Sequence, residues 1–107
     1  MAFFEIRQYK VLPGKMDGWV EVMEKEIIPF QVSQGMVICG SYRHETDESV
    51  YFWIRRFESE EQRVAQYEAV YQSDYWKTKI APRVPEYLDR SAIVVNRVVA
   101  TPRSPHQ

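Results

Sequence analysis

Two arginines, Arg7 and Arg55, occupy equivalent places in matching fragments, Phe4-Glu5-Ile6-Arg7-Gln8-Tyr9 and Phe52-Trp53-Ile54-Arg55-Arg56-Phe57. Guanidinium groups hold carboxylates, phosphates and oxyanions through a planar fork of donors. Arg7 and Arg55 are therefore candidate anion anchors, with Trp53 and Tyr9 as walls that stack on a planar molecule. Two arginines on neighbouring strands repel unless a negative charge stands between them. Glu5 is the internal candidate for that charge, and a bound acidic or enolate-like ligand is the external one. His44, with Tyr42 on its face of the same strand, and Tyr9 are the candidates for moving a proton. An imidazole pKa of about 6.5 suits general acid–base work, although a histidine at a hairpin mouth is ordinarily a solvated surface residue. The catalytic set read from sequence is thus His44 and Tyr9, and the substrate-binding set is Arg7, Arg55, Trp53, Tyr42 and Glu5.

Other chemistries find little support. His44 with Glu45, Asp47 and Glu48 lacks metal-ligand spacing, and His106 is isolated near the C-terminus. There is no Gly-rich phosphate loop and no ordered Ser/His/Asp set. Cys39 lies within a strand and reads as a small apolar packing group. No metal and no cofactor is expected.

The elements that position these groups follow from periodicity. Phe3–Val11 alternates with period two and stops at Leu12-Pro13-Gly14. Met16, Trp19, Val20, Met23, Ile27 and Phe30 form the apolar stripe of a helix that Pro29 should end or kink near Ile28. Met36–Arg43 and Val50–Phe57 read as strands joined by the polar loop His44–Ser49. Ser59-Glu60-Glu61-Gln62 is a capping box opening a second helix, with Val64, Tyr67, Val70 and Tyr71 on its apolar stripe. Ser73-Asp74-Tyr75-Trp76 opens a shorter turn through Ile80, Ala92–Ala100 is the last strand, and 101–107 is expected to be a disordered tail.

The order β-α-β-β-α-β is the ferredoxin-like split-βαβ plan. It is an α+β fold, a four-stranded antiparallel sheet with two helices on one face, spanning 1–100 as a single domain. Right-handed crossovers are expected to make strands one and three parallel central neighbours. Alternation would turn Phe4, Ile6, Phe52 and Ile54 toward the helices. It would leave Glu5, Arg7, Tyr9, Tyr51, Trp53, Arg55 and Phe57 on the free face. Either a second subunit covers that aromatic face entirely, or two such faces enclose an aromatic cavity anchored by arginine. A homodimer is common to both.

Composition bounds the rest. The 107 residues carry 14 basic and 15 acidic side chains, which lacks the basic footprint of a nucleic-acid binder. Apolar stretches are too short to span a membrane. One cysteine excludes an intrachain disulfide and fits a reducing compartment. No basic-then-apolar leader precedes the first strand, so a cytoplasmic location is expected.

From Phe4 to Val99 the chain resembles the NIPSNAP family. The resemblance rests on Glu5-x-Arg7-x-Tyr9, Lys10-Val-Leu-Pro13-Gly14-Lys15 and the helix with Trp19. It continues with Phe57 before an acid and Ser, Arg63, and Tyr71 leading to Ser73-Asp74-x-Trp76. Tyr75 stands where a proline would be typical, which bears on local turn geometry only. The resemblance implies a dimeric α/β barrel. The wider group with that fold contains cofactor-independent monooxygenases, lactone isomerases, polyketide cyclases and haem-degrading enzymes. The implied function is small-molecule binding by a homodimer, with cofactor-independent chemistry on an enolisable or aromatic substrate as its enzymatic form. The alternative is a non-catalytic interaction protein whose aromatic sheet face is only a dimer interface.

Overall fold

A computed structural model describes all 107 residues. Strands β1 (Phe3–Val11), β2 (Val37–Arg43), β3 (Val50–Phe57) and β4 (Leu88–Val98) form one sheet in the order β2-β3-β1-β4. The ferredoxin-like plan is therefore as expected, and β1 and β3 are the central pair. They run antiparallel, however, not parallel. The helical crossover from β1 makes β2 its parallel relative two places away. The hairpin-linked β3 then fills the gap between them in the opposite direction.

The first helical segment does not end at Pro29. Helix α1 (Met16–Val22) passes into a π-helical turn (Met23–Ile27) and then into α2 (Ile28–Ser33), with helical backbone angles at both junctions. Proline lacks an N–H and its ring crowds the carbonyl four residues earlier, here that of Lys25. The widened turn just before Pro29 relieves that crowding and lets the helix continue. The same pairing recurs where a π-helical turn (Trp76–Ile80) precedes Pro82 and a 3-10 segment (Ala81–Glu86). Gly35, at φ 94°, stops α2 in a left-handed conformation. There the Gly35 N–H reaches the Val32 carbonyl and the Met36 N–H reaches that of Gln31, a Schellman closure. Helix α3 (Glu60–Tyr71) starts as its capping box predicts. Ser59 Oγ accepts from the Gln62 N–H at 3.0 Å, and Gln62 Oε1 accepts from the Glu58 N–H at 2.8 Å.

The two sheet faces are the reverse of the sequence reading. Tyr9, Tyr51, Trp53 and Phe57 are buried beneath the helices together with Glu5 and Arg55. They pack with Trp19, Met23, Ile27, Ile80 and Leu88 in one cluster, and with Phe3, Met36 and Val70 in another. The rings are thus covered by the chain's own helices and are not free to form a subunit interface. The open face instead carries Phe4 opposite Val98, Gln8 opposite Val94, Ile6 opposite Asn96, and Phe52 opposite Tyr42. Tyr42, Val94, Val98 and Val37 are exposed there, while Ile6, Phe52 and Ile54 are half-buried. Both faces are rich in apolar groups, so alternation alone does not decide which one the helices choose. The residues 101–107 fold back on the rim of the open face. The His106 ring lies 4.9 Å from that of Phe4, and Arg56 Nε donates to the Gln107 carbonyl at 2.8 Å.

Candidate functional site

The register of the central strands decides what each arginine meets. Ile6 faces Ile54 across the β1–β3 ladder, which places Glu5 opposite Arg55 and Trp53 opposite Arg7. Arg55 therefore has a carboxylate as its cross-strand partner, whereas Arg7 has an indole. This local two-fold relation is the structural meaning of the repeated F-x-I-R fragment.

Arg55 is 0% exposed and its guanidinium is nearly saturated with partners. Nη2 donates to Glu5 Oε1 at 2.9 Å and to the Tyr67 hydroxyl at 2.6 Å. Nη1 donates to Gln31 Oε1 at 2.9 Å and to the Tyr71 hydroxyl at 2.7 Å, and lies 3.6 Å from Met36 Sδ. The guanidinium also stacks over Trp53, 4.6 Å from the ring centre. The Schellman closure at Gly35 explains how Gln31 and Met36 converge on it, since that turn ties their backbones together.

Glu5, 1% exposed, is consumed by the same network. Its Oε2 accepts from Arg63 Nε at 2.9 Å, and the Tyr67 hydroxyl donates to both carboxylate oxygens at 2.8 and 2.9 Å. Burial alone would raise the Glu5 pKa. The Arg63 hydrogen bond, the Arg55 charge and the Tyr67 hydroxyl outweigh it and hold the carboxyl below its ordinary value.

Arg7 lies beside this network with few strong partners. Nε donates to the Tyr9 hydroxyl at 2.9 Å, and Nη1 reaches the Tyr67 hydroxyl at 3.4 Å and Glu5 Oε1 only at 3.9 Å. Its side chain is 16% exposed. It borders a cavity of about 230 Å³ between the sheet and the helical layer. Tyr9, Trp53, Tyr67 and Tyr71 line that cavity, with Trp19, Met23 and Ile27 from the first helical segment. Trp76, Val84, Leu88 and Ile93 close other parts of the wall, and the exposed Arg90 completes it. Both π-helical turns contribute to the wall, through Met23, Ile27 and Trp76.

Of the residues singled out from sequence, the structure brings Arg7, Tyr9 and Trp53 together at the cavity and sets Glu5 and Arg55 beneath them. The cavity lies on the helix side of one chain, so it is not a space between two open sheet faces. Tyr42 stands on the open face, half exposed, away from it. His44 is exposed in the β2–β3 loop, where Nδ1 accepts the N–H groups of Thr46 and Asp47 at 3.1 and 2.9 Å. That nitrogen organises the hairpin and is remote from Arg7. Tyr67 and Tyr71 were legible as neighbours one helical turn apart, but only as packing groups. Arg90 lay outside the strand as read from sequence, because β4 begins at Leu88 rather than Ala92.

A ferredoxin-like α+β domain with an arginine-anchored aromatic cavity between helices and sheet is the class that these features define. The NIPSNAP family model matches residues 4–102, and the chain belongs to that family. A NIPSNAP family protein from Agrobacterium tumefaciens is similar over the whole of both chains, at 18% identity and a TM-score of 0.87. An uncharacterised NIPSNAP domain protein from Burkholderia xenovorans is 22% identical with a TM-score of 0.80, over 96% of this chain and 98% of that one. A protein from Caulobacter crescentus, described as a candidate antibiotic biosynthesis monooxygenase, shares the fold at 20% identity and a TM-score of 0.69, over 94% and 90% of the two chains. Comparison with curated proteins gives no match.

Glu5 carries a testable consequence for stability. A carboxyl whose pKa is lowered on folding stabilises the protein above its unfolded pKa, and that contribution is lost as pH falls through the folded value. Glu5→Gln leaves Arg55 without its counter-charge and should lower the unfolding free energy by about 3 kcal/mol at neutral pH. Urea unfolding between neutral and acid pH should also show a flatter acid limb than in the native sequence. An unchanged acid limb would remove Glu5 from its place as the central counter-charge.

Proposed function

We propose that this protein is a homodimer that binds a small, flat, acidic molecule, aromatic or enolisable, in the cavity between its sheet and helices. The observation that carries the reading is Arg7. It is a largely buried guanidinium at an aromatic cavity, with no carboxylate closer than 3.9 Å. Four arginines (Arg7, Arg55, Arg63, Arg97) share the two carboxylates Glu5 and Glu60, so the region carries excess positive charge. Buried charge without a counter-charge is costly, and an anionic ligand would offset it.

The enzymatic form of this reading is cofactor-independent chemistry of oxygenase, isomerase or cyclase type on an enolisable or phenolic ligand. Its precedent is the described activity of the Caulobacter relative, which shares only the fold. Arg7 would stabilise an oxyanion, Trp53 would stack on the ligand plane, and the Tyr9 hydroxyl would supply a proton. Arg55 and Glu5 position Arg7 from below. His44 and Tyr42 lie outside the cavity and take no part in this version of the site. The free Cys39 agrees with a reducing, cytoplasmic setting.

Support for the homodimer comes from the other face. Tyr42, Val94, Val98 and Val37 form an exposed apolar surface continuous with Ile6, Phe52 and Ile54. Such a sheet face in water favours a cover, and a second copy presents the same surface. Each protomer then keeps its own cavity on the far side of its sheet.

Two measurements test these claims separately. All three tryptophans (Trp19, Trp53, Trp76) line the cavity, so their fluorescence reports occupancy directly. 3-Phenylpropanoate should bind at least about tenfold more tightly than its neutral amide, and Arg7→Met should bring the acid down to the level of the amide. Equal affinity for acid and amide in the native protein would refute the anion anchor. Light scattering should show a dimer that Ile54→Arg converts to a monomer with ligand affinity retained. A monomeric native protein, or a dimer unaffected by Ile54→Arg, would refute the open-face interface.

A further inference from the structure

Arg7 and Tyr9 carry a more specific inference, which rests on the cavity reading and concerns the ionisation state of whatever binds there. The cavity wall contains no carboxylate, imidazole, carboxamide, thiol, amine or aliphatic hydroxyl. Its polar groups are three tyrosine hydroxyls, three indole N–H groups and two guanidinium groups.

Their hydrogen bonds show which of them are spent. The indole N–H groups of Trp19 and Trp53 are buried and have no partner, although both residues are 2% exposed. Both nitrogens are closed off from the open space of the cavity, so the donors a ligand can meet are those of Arg7 and of the tyrosine hydroxyls. The Tyr9 hydroxyl accepts from Arg7, and the Tyr71 hydroxyl accepts from Arg55 at 2.7 Å and from Gln31 Nε2 at 3.3 Å. Neither donates its own proton to any protein group. The Tyr67 hydroxyl donates its hydrogen bond to Glu5, and it accepts from Arg55 at 2.6 Å and from Arg7 at 3.4 Å. Arg7 Nη2 has no partner among the hydrogen bonds that Arg7 makes.

The unspent capacity is therefore almost entirely donor capacity, and no side chain of the wall can act as a base at neutral pH. Burial raises the Tyr9 phenol and pushes that of Tyr67 up to about 12, so both stay protonated. The carboxylate beside Arg7, Glu5, does not line the cavity and is bonded to Arg55, Arg63 and Tyr67. From β3 and α3 the charges behind the wall are those of Arg55 and Arg63; from β4 the exposed Arg90 adds another positive group.

We propose that this donor-dominated site selects ligands in their deprotonated form: a phenolate, enolate or carboxylate presenting its acceptor oxygens to the free Arg7 Nη2 and to the undonated hydroxyl proton of Tyr9. A neutral acid brings an O–H for which the wall offers little beyond the remaining lone pair of the Tyr9 hydroxyl, while its anion satisfies donors that are otherwise idle. The site thereby lowers the pKa of its ligand and needs no protein base to generate the anion.

4-Nitrophenol tests this, because its phenol and phenolate absorb at different wavelengths and its ionisation can be followed while bound. Equilibrium dialysis measures its occupancy independently of its colour. At saturation the bound probe should titrate at least about one pH unit lower than the free probe, a tenfold preference for the phenolate. Arg7→Met should abolish that displacement. A probe that binds as the neutral phenol, or titrates at or above its free value, overturns the selection of the anion and leaves the cavity reading standing. Absence of binding by both 4-nitrophenol and 3-phenylpropanoate overturns the cavity reading itself.

Discussion

The burial of the Arg55 guanidinium is the constraint on which the rest of this structure depends. A charge removed from water in a small domain is tolerated only with a counter-charge and close to a full set of acceptors. Here the set is drawn from separate parts of the chain. Glu5 comes from β1, Gln31 from α2, Met36 from the approach to β2, and Tyr67 and Tyr71 from α3. One side chain thereby ties both helical segments to the sheet. The Schellman turn at Gly35 and the Ser59 cap of α3 serve this centre by placing Gln31, Met36 and Tyr67 where the guanidinium requires them.

Neutralising Arg55 is also what leaves Arg7 available. The two arginines occupy equivalent places in a repeated fragment, yet the register treats them differently, because Ile6 pairs with Ile54 and the residue before each isoleucine is different. Glu5 crosses to Arg55, and Trp53 crosses to Arg7. A single carboxylate cannot serve both, and the 3.9 Å separation of Arg7 from Glu5 records that inequality. The cavity forms beside the less satisfied of the pair. The π-helical turns before Pro29 and Pro82 widen the helical layer and bring Met23, Ile27 and Trp76 to its wall.

Much of the architecture was legible in the sequence. Period-two alternation located β1 and β3 to the residue, and the capping box placed the start of α3. The sign of the sheet faces was not legible, because alternation gives parity and both parities here are rich in apolar groups. The choice is made by the helices, whose Trp19, Gln31, Tyr67 and Tyr71 offer rings and hydrogen-bond partners to match Glu5 and Arg55. An apolar face of Ile6, Phe52 and Ile54 could not satisfy Gln31. The polar Gln31 on an otherwise apolar helical stripe was the available signal. For the site, Arg7, Tyr9 and Trp53 could be found from residue type and spacing. Tyr67, Tyr71 and Arg90 could not, since their roles arise from tertiary contacts across the layers. His44 illustrates the opposite case: a residue type suited to catalysis whose position makes it part of a loop.

Two arginines in matching sequence fragments take opposite places, Arg55 sealed in its network and Arg7 bordering the cavity. Arginine side-chain NMR resolves them directly, with Arg7→Met supplying the assignment. The Arg55 guanidinium should show slowly exchanging, individually resolved protons that do not move when 3-phenylpropanoate is added, while the Arg7 Nε–H signal shifts with ligand concentration. Rapid exchange at Arg55, or ligand-dependent shifts at Arg55 with none at Arg7, would contradict that division.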